Sequence, residues 1–159
     1  MKKVKKILGI VSCLLFVIFL VSGCGTEEEK TLSCALYRKD VVSNYELNST
    51  YEIYYTGDVV NRVETVEVVS SSDESIIDLF ETTLNSTYES MNDAYGGYDF
   101  TVTKEAGKVT ATTKIDYTKL DLEQLIKDDS SMKSIVNNDN QITVDGIKKL
   151  YEQTGAECK

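Results

Sequence analysis

The residues with the most evident chemistry are four cysteines, at positions 13, 24, 34 and 158. A thiol can be acylated, can form a disulfide or can bind a metal ion, and its sequence context separates these roles. Cys24 ends the stretch VSGC, where a long apolar run gives way to the charged stretch EEEK. The segment upstream of Cys24 indicates which role applies to it.

That segment has the three parts of a secretory signal peptide. Four lysines and no acidic residue form a positive start at residues 2–6, and an apolar run of 15 residues follows at 7–21. Small residues then lead to Cys24. The apolar run is short for a membrane-spanning helix, which needs about 20 residues. An uncleaved membrane anchor is the alternative.

The stretch VSGC resembles the bacterial lipobox, in which small or apolar residues precede a cysteine. This resemblance implies that the Cys24 thiol receives a diacylglycerol, that the chain is cut after Gly23, and that the new amine can also be acylated. Two acyl chains hold a protein on a membrane stably, whereas one binds only marginally, at about 0.8 kcal/mol per buried CH₂. We therefore expect a lipoprotein signal peptide at 1–23, a lipidated tether at 24–31, and attachment to the extracytoplasmic face of the cell membrane.

The other two cysteines of the processed chain, Cys34 and Cys158, lie close to its two ends. Two cysteines in an exported chain predict one disulfide. Two free thiols are the alternative. The bridge would close a long loop, and a loop of such size contributes about 4–5 kcal/mol by constraining the unfolded chain.

Composition excludes several kinds of catalytic site. The sequence has no histidine, which rules out Ser-His-Asp and Cys-His nucleophile systems and histidine-based zinc sites. The stretch SSMK at 130–133 matches S-x-x-K, but no S-D-N or K-T-G follows it. The polar stretch 137–148 has Ile142 at the sixth position, where an EF-hand loop needs glycine, and Lys148 at the twelfth, where it needs glutamate. We predict no catalytic residue, no metal site and no cofactor.

The charge of the chain also narrows its partners. The signal peptide holds four of the 17 basic residues and none of the 26 acidic ones, so its removal leaves 13 basic residues and a formal charge of −13. Such a surface repels nucleic acid and anionic lipid headgroups. We expect no nucleic-acid partner.

Tyrosine is abundant, with ten residues and no tryptophan. Tyr51, Tyr54 and Tyr55 cluster on one predicted strand, where neighbours point to opposite faces, so Tyr54 should face away from the other two. Tyr54 is therefore the candidate ligand-facing residue, for a peptide or a sugar. The alternative is that all of these rings shield a small core.

The hydrophobic pattern predicts the elements that position these residues. Alternation predicts strands at 32–38, 44–56, 59–70, 98–103 and 109–117. Apolar residues at helical spacing predict helices at about 73–95, at 121–127 and after Thr143. The stretch SSSD at 70–73 offers caps for the start of the first helix, and Gly96-Gly97 should end it. Hairpin turns are expected at Gly57-Asp58 and Ala106-Gly107, and a bulge between Val63 and Val66.

The predicted order is β-β-β-α-β-β-α-α, and such an order favours an α+β fold over a parallel α/β sheet. We predict that residues 32–159 form a single α+β domain. Its single antiparallel sheet should have about five strands, with the helices packed on one face.

Several stretches together carry a family resemblance: VSGC at 21–24, YEIYYTGDVV at 51–60, KIDYTKLDLEQL at 114–125 and ITVDGIKKLYEQTGAEC at 142–158. With the helix after the second stretch, they resemble the YehR-like family of small bacterial lipoproteins of uncharacterised function. The resemblance covers most of the processed chain. It implies a membrane-tethered α+β domain that faces outward, and it implies no reaction.

We therefore expect a non-enzymatic binding or interaction module of the cell envelope, with another envelope protein or a small ligand as its partner. A carboxylate-dependent hydrolase of cell-wall material is the alternative, although no spacing of acidic residues singles out an acid/base pair. A purely structural envelope component is a third hypothesis.

Overall fold

A computed structural model describes residues 27–159, so the predicted signal peptide and Cys24 lie outside the described residues. Six strands form the sheet: β1 (Lys30–Asp40), β2 (Tyr45–Thr56), β3 (Val59–Ser70), β4 (Tyr98–Glu105), β5 (Lys108–Asp116) and β6 (Glu157–Cys158). The helices are α1 (Glu74–Tyr95), α2 (Leu122–Asp128) and α3 (Val144–Gln153), with a 3-10 helix at Ser130–Ile135. None of these helices has the length and apolar composition needed to cross a bilayer.

All strands belong to one antiparallel sheet with the order β4-β5-β3-β2-β1-β6, and the helices pack on one of its faces. The predicted α+β class and single sheet are confirmed. The predicted count of five strands was too low, because β6 has only two residues. A strand that short carries no alternation that could reveal it.

The bulge in β3 lies at Asn61, because Tyr54 pairs with Arg62 while Tyr55 pairs with Val60. One extra residue lets both Val60 and Val63 face the core, although they are three positions apart. The predicted position, between Val63 and Val66, was wrong. In that stretch the alternation continues unbroken, with the polar Thr65 on the core side.

Helix α1 begins and ends where its capping residues predict. The Asp73 carboxylate accepts a hydrogen bond from the Ser75 amide at 2.9 Å, and Gly96 ends the helix with φ of 67°. The buried Ile77 packs against Val69 and Val109, and these three residues define the α1 core.

Helix α3 lies against the 3-10 helix and the other end of the sheet. Thr143 caps it by accepting a hydrogen bond from the Gly146 amide at 3.1 Å. A Cβ at Gly146 would lie 2.6 Å from Ile135 Cα, so only glycine permits this close approach. Six buried isoleucines and valines define the α3 core: Ile53, Val60, Val63, Ile135, Ile142 and Ile147.

The cysteine pair predicted from the sequence joins the two ends of the domain. Cys34 of β1 and Cys158 of β6 form a disulfide across a sequence separation of 124 residues. Beside it, the Lys159 amide donates to the Ser33 carbonyl at 2.8 Å. The disulfide therefore fixes the segment that follows α3 to the outer edge of the sheet.

The core-facing side of β3 changes from apolar to polar and back. Val63 belongs to the α3 core and Val69 to the α1 core. Between them, Thr65 and Glu67 face the same helix-covered side. The sheet thus carries a polar interval between two hydrophobic cores, and this interval is where the candidate site lies.

Candidate functional site

Glu67 occupies the middle of the helix-covered face of the sheet. It lies directly opposite Ser49 of β2 on one side and Ala111 of β5 on the other. Both neighbours are small and buried, so nothing on the adjacent strands covers the carboxylate, which is half-buried. Within residues 27–159, Glu67 makes no ion pair.

Helix α1 contributes Tyr88, whose hydroxyl donates a hydrogen bond to Glu67 Oε2. The Tyr88 ring packs beside Phe100 of β4, with ring centroids 5.7 Å apart. Burial, and then the negative charge of Glu67, raise the pKa of Tyr88 well above its ordinary range. The phenol therefore stays protonated and serves as a neutral donor.

Helix α3 contributes Tyr151, which stacks on Tyr51 of β2 with ring centroids 4.2 Å apart and an interplanar angle of 25°. Burial raises the pKa of both phenols, and the charge of Glu67 adds to the increase for each. Helix α1 therefore places Tyr88 in contact with Glu67, and helix α3 places Tyr151 on Tyr51, whose strand is adjacent to that of Glu67.

Two hydroxyl groups in this interval have no hydrogen-bond partner. Ser49 and Thr113 are 1% and 2% exposed, and neither Ser49 Oγ nor Thr113 Oγ1 makes a hydrogen bond. Ser49 lies near the Tyr51 hydroxyl and Thr113 near the Tyr88 hydroxyl, and each of these contacts partly offsets the rise in the pKa of the phenol, but neither is a well-formed hydrogen bond. Because the large majority of buried side-chain polar atoms have a partner, two unpartnered hydroxyls on the two strands that flank Glu67 need an explanation.

These side chains form what we call the Glu67 cluster: Ser49, Tyr51, Glu67, Tyr88, Thr113 and Tyr151. It combines one carboxylate, two hydroxyls without a hydrogen-bond partner, and three tyrosine rings. Such a set can accept hydrogen bonds from a ligand and pack against its apolar part.

This cluster was not predicted from the sequence. A phase slip of β3 was expected in the stretch that contains Thr65, which obscured the direction of Glu67. Val63 and Val69 are an even number of residues apart and both are buried, so an unbroken alternation would have placed Glu67 inward. The partners from α1 and α3 give no signal in the sequence, because their approach depends on helix packing.

Tyr54, the residue predicted to face a ligand, lies on the open face of the sheet, opposite to the face of Tyr51. The Arg62 guanidinium lies 3.6 Å from the centre of its ring. Arg62 is itself bound to Glu29 at 2.8 Å and to Glu64 at 3.2 Å. One side of the Tyr54 ring is therefore covered by a cation, and its role in ligand binding stays a prediction.

The acidic residues that face each other most directly also lie on the open face. Glu52 and Glu64 are cross-strand neighbours on β2 and β3. Ser33 donates to Glu52 at 2.8 Å and Arg62 to Glu64 at 3.2 Å. Among the residues that the structure describes, no three cysteine or acidic side chains converge to hold a metal ion. The hydrolase alternative stays a prediction.

Comparisons with known proteins bear on the fold. No protein-family model matches the sequence, and neither does any curated protein. The NMR structure of the E. coli YehR protein matches over 83% of this chain and 91% of that chain, with 16% identity and a TM-score of 0.53. An NMR structure of a protein from Streptococcus pneumoniae matches over 86% of this chain and 88% of that chain, with 16% identity and a TM-score of 0.49. The chain therefore has a YehR-like fold, and at this identity the likeness concerns the fold alone.

Proposed function

We propose that this protein is a non-enzymatic, lipid-anchored binding module on the extracytoplasmic face of the cell membrane, and that its ligand group docks at the Glu67 cluster. The observation that supports binding is the pair of buried hydroxyls without partners beside a half-buried carboxylate without a counter-ion. Leaving a buried polar group unsatisfied costs about 1–3 kcal/mol. A ligand that supplies the missing partners would recover that free energy.

Two sequence features support the proposed location. The lipobox-like VSGC predicts acylation at Cys24, and the cysteine pair at 34 and 158 suits an oxidising compartment outside the cytoplasm. The acidic stretch between Cys24 and β1 would act as a spacer. It would be short, because β1 begins at Lys30 and Glu29 is already bound to Arg62.

The anchor is tested with Cys24→Ser and with Cys13→Ser as the matched control, because both cysteines precede the domain. In cells fed an alkyne analogue of palmitate, we expect Cys24→Ser to lose the label and to leave the membrane fraction or to remain as an uncleaved precursor. Cys13→Ser should behave like the wild type. An unlabelled wild-type protein, or equal labelling of both variants, would contradict the anchor.

Ligand binding is tested by NMR titration of the full-length protein in detergent micelles. Methyl glycosides, N-acetylated amino-acid amides and short alkylamines are added separately. We expect at least one class to shift the amide signals of Ser49, Glu67 and Thr113 in a saturable way, while the signal of Thr31 at the start of β1 stays unchanged. If no class shifts these signals, the proposal of a binding module at this cluster fails.

A further inference from the structure

We infer that the group bound at the Glu67 cluster is a primary ammonium, carried by an alkylamine or by a lysine side chain of a partner. This inference rests on the proposed binding function and specifies its ligand class. Charge, aromatic surface and hydrogen-bonding capacity each support it separately.

The charge of Glu67 favours a cationic ligand. Glu67 is half-buried, yet its observed polar contact is with the neutral Tyr88 hydroxyl. On the open face of the same strand, Glu64 has the Arg62 guanidinium beside it at 3.2 Å. A partly desolvated carboxylate gains from a cation that is hydrogen-bonded to it. The chain, with 26 acidic and 17 basic residues, also attracts cations from a distance.

The aromatic rings of the cluster also favour a cationic ligand. Tyr51 and Tyr151 form one stacked pair of rings, and Tyr88 and Phe100 form a second, tilted pair. Neutral aromatic rings attract cations through the negative potential of their faces, by about 0.5–2 kcal/mol per contact. Because burial keeps the phenols protonated, their rings remain neutral partners in this sense.

Hydrogen-bonding capacity distinguishes a primary ammonium from other cations. Its nitrogen has three N–H donors, and two acceptors of the cluster lie directly opposite each other on adjacent strands, the Glu67 carboxylate on β3 and Ser49 Oγ on β2. Ser49 is only 1% exposed, so its hydroxyl favours a small head group over a bulky one. A quaternary ammonium has no donor for these oxygens and is too bulky to approach them.

The test compares four probes on the full-length protein in micelles at equal ionic strength: n-butylammonium, tetramethylammonium, n-butanol and butyrate. We expect n-butylammonium to shift the amides of Ser49, Glu67 and Thr113 with a Kd at least about tenfold lower than that of the other three, as one charge-assisted contact provides. This comparison needs only the wild-type protein, so it stays decisive even where a variant does not fold.

Two variants test whether n-butylammonium binds at Glu67. Glu67→Gln keeps the shape and removes the charge, and we expect it to raise the Kd of n-butylammonium about tenfold or more. Glu64→Gln is the matched control on the same strand and the opposite face, and its Kd should stay within about twofold of wild type. Thermal unfolding of each variant checks that it is folded.

Each other outcome has a distinct meaning. If butanol or butyrate shifts the cluster as strongly as n-butylammonium, or if Glu67→Gln binds the amine like wild type, the ammonium inference is wrong while binding at the cluster stands. If tetramethylammonium binds as tightly as n-butylammonium, the role of the Ser49 hydroxyl is wrong, and with it the assignment to a primary amine. If no probe of any class shifts the cluster, the binding function fails as well.

Discussion

Replacing both cysteines of the disulfide, in the double variant Cys34→Ser/Cys158→Ser, is expected to lower the free energy of unfolding by about 4 kcal/mol. The loop that the bond closes spans a sequence separation of 124 residues, so its loss frees almost the whole described domain in the unfolded state. In the folded state, β6 pairs with β1 at only two positions, which leaves little to hold the end of the chain once the bond is gone. Urea unfolding measures the difference.

The wild-type protein provides the control for this variant. Adding a reductant should bring the stability of the wild type down to that of the double variant and should leave the double variant unchanged. A double variant within about 1 kcal/mol of the oxidised wild type would show that the cross-link constrains the unfolded chain far less than its loop length implies. The bond also has a consequence for the site, because it fixes the segment after α3, the helix that carries Tyr151.

The second large effect is expected for Ile53→Ala, which should lower the free energy of unfolding by about 3–4 kcal/mol. Ile53 is fully buried, at 0% exposure, in the α3 core between Val63 and Ile147. The truncation removes three carbon atoms from a region where β2, β3 and α3 meet. The surrounding backbone is held by the sheet, so the space closes only partly and the cavity adds to the lost burial. Urea unfolding again gives the value.

Val66→Ala is the matched control for the core truncation. Val66 lies on the adjacent strand but on the open face, where it is 41% exposed. We expect it to cost less than about 1 kcal/mol, which reflects its strand propensity and partial burial. Equal losses for the two variants would contradict the assignment of one covered and one open face to this sheet.

The open and covered faces also explain why Tyr54 and the Glu67 cluster are different kinds of candidate. Tyr54 lies on a solvent-facing surface and already has a cation over its ring, supplied by Arg62. Glu67 lies on the helix-covered face, where its charge is partly desolvated, so a counter-ion stabilises it more than it would on the open face. Since Arg62 and Glu67 lie on opposite faces of β3, the Arg62 guanidinium does not reach the inner carboxylate.

Local patterns in the sequence were sufficient for most of the fold. The alternation in β2 defined a strand, because a half-buried sheet repeats every two residues. Asp73 and Gly96 located both ends of α1, because capping uses groups within a few residues of the helix end. Thr143 did the same for the start of α3. Signals of this kind depend only on near neighbours and can be read from the chain.

The sequence alone determined the class of the fold, the helix starts, and the expectation that Cys24 is acylated, a prediction that lies outside the described residues. Tertiary structure alone decided three things: the short pairing of β6 with β1, the position of the bulge at Asn61, and the contact between Tyr88 and Glu67. The physical reason is the same in each case. These features depend on contacts between residues far apart in the chain, and the free energy of such contacts is set by packing that no local pattern records.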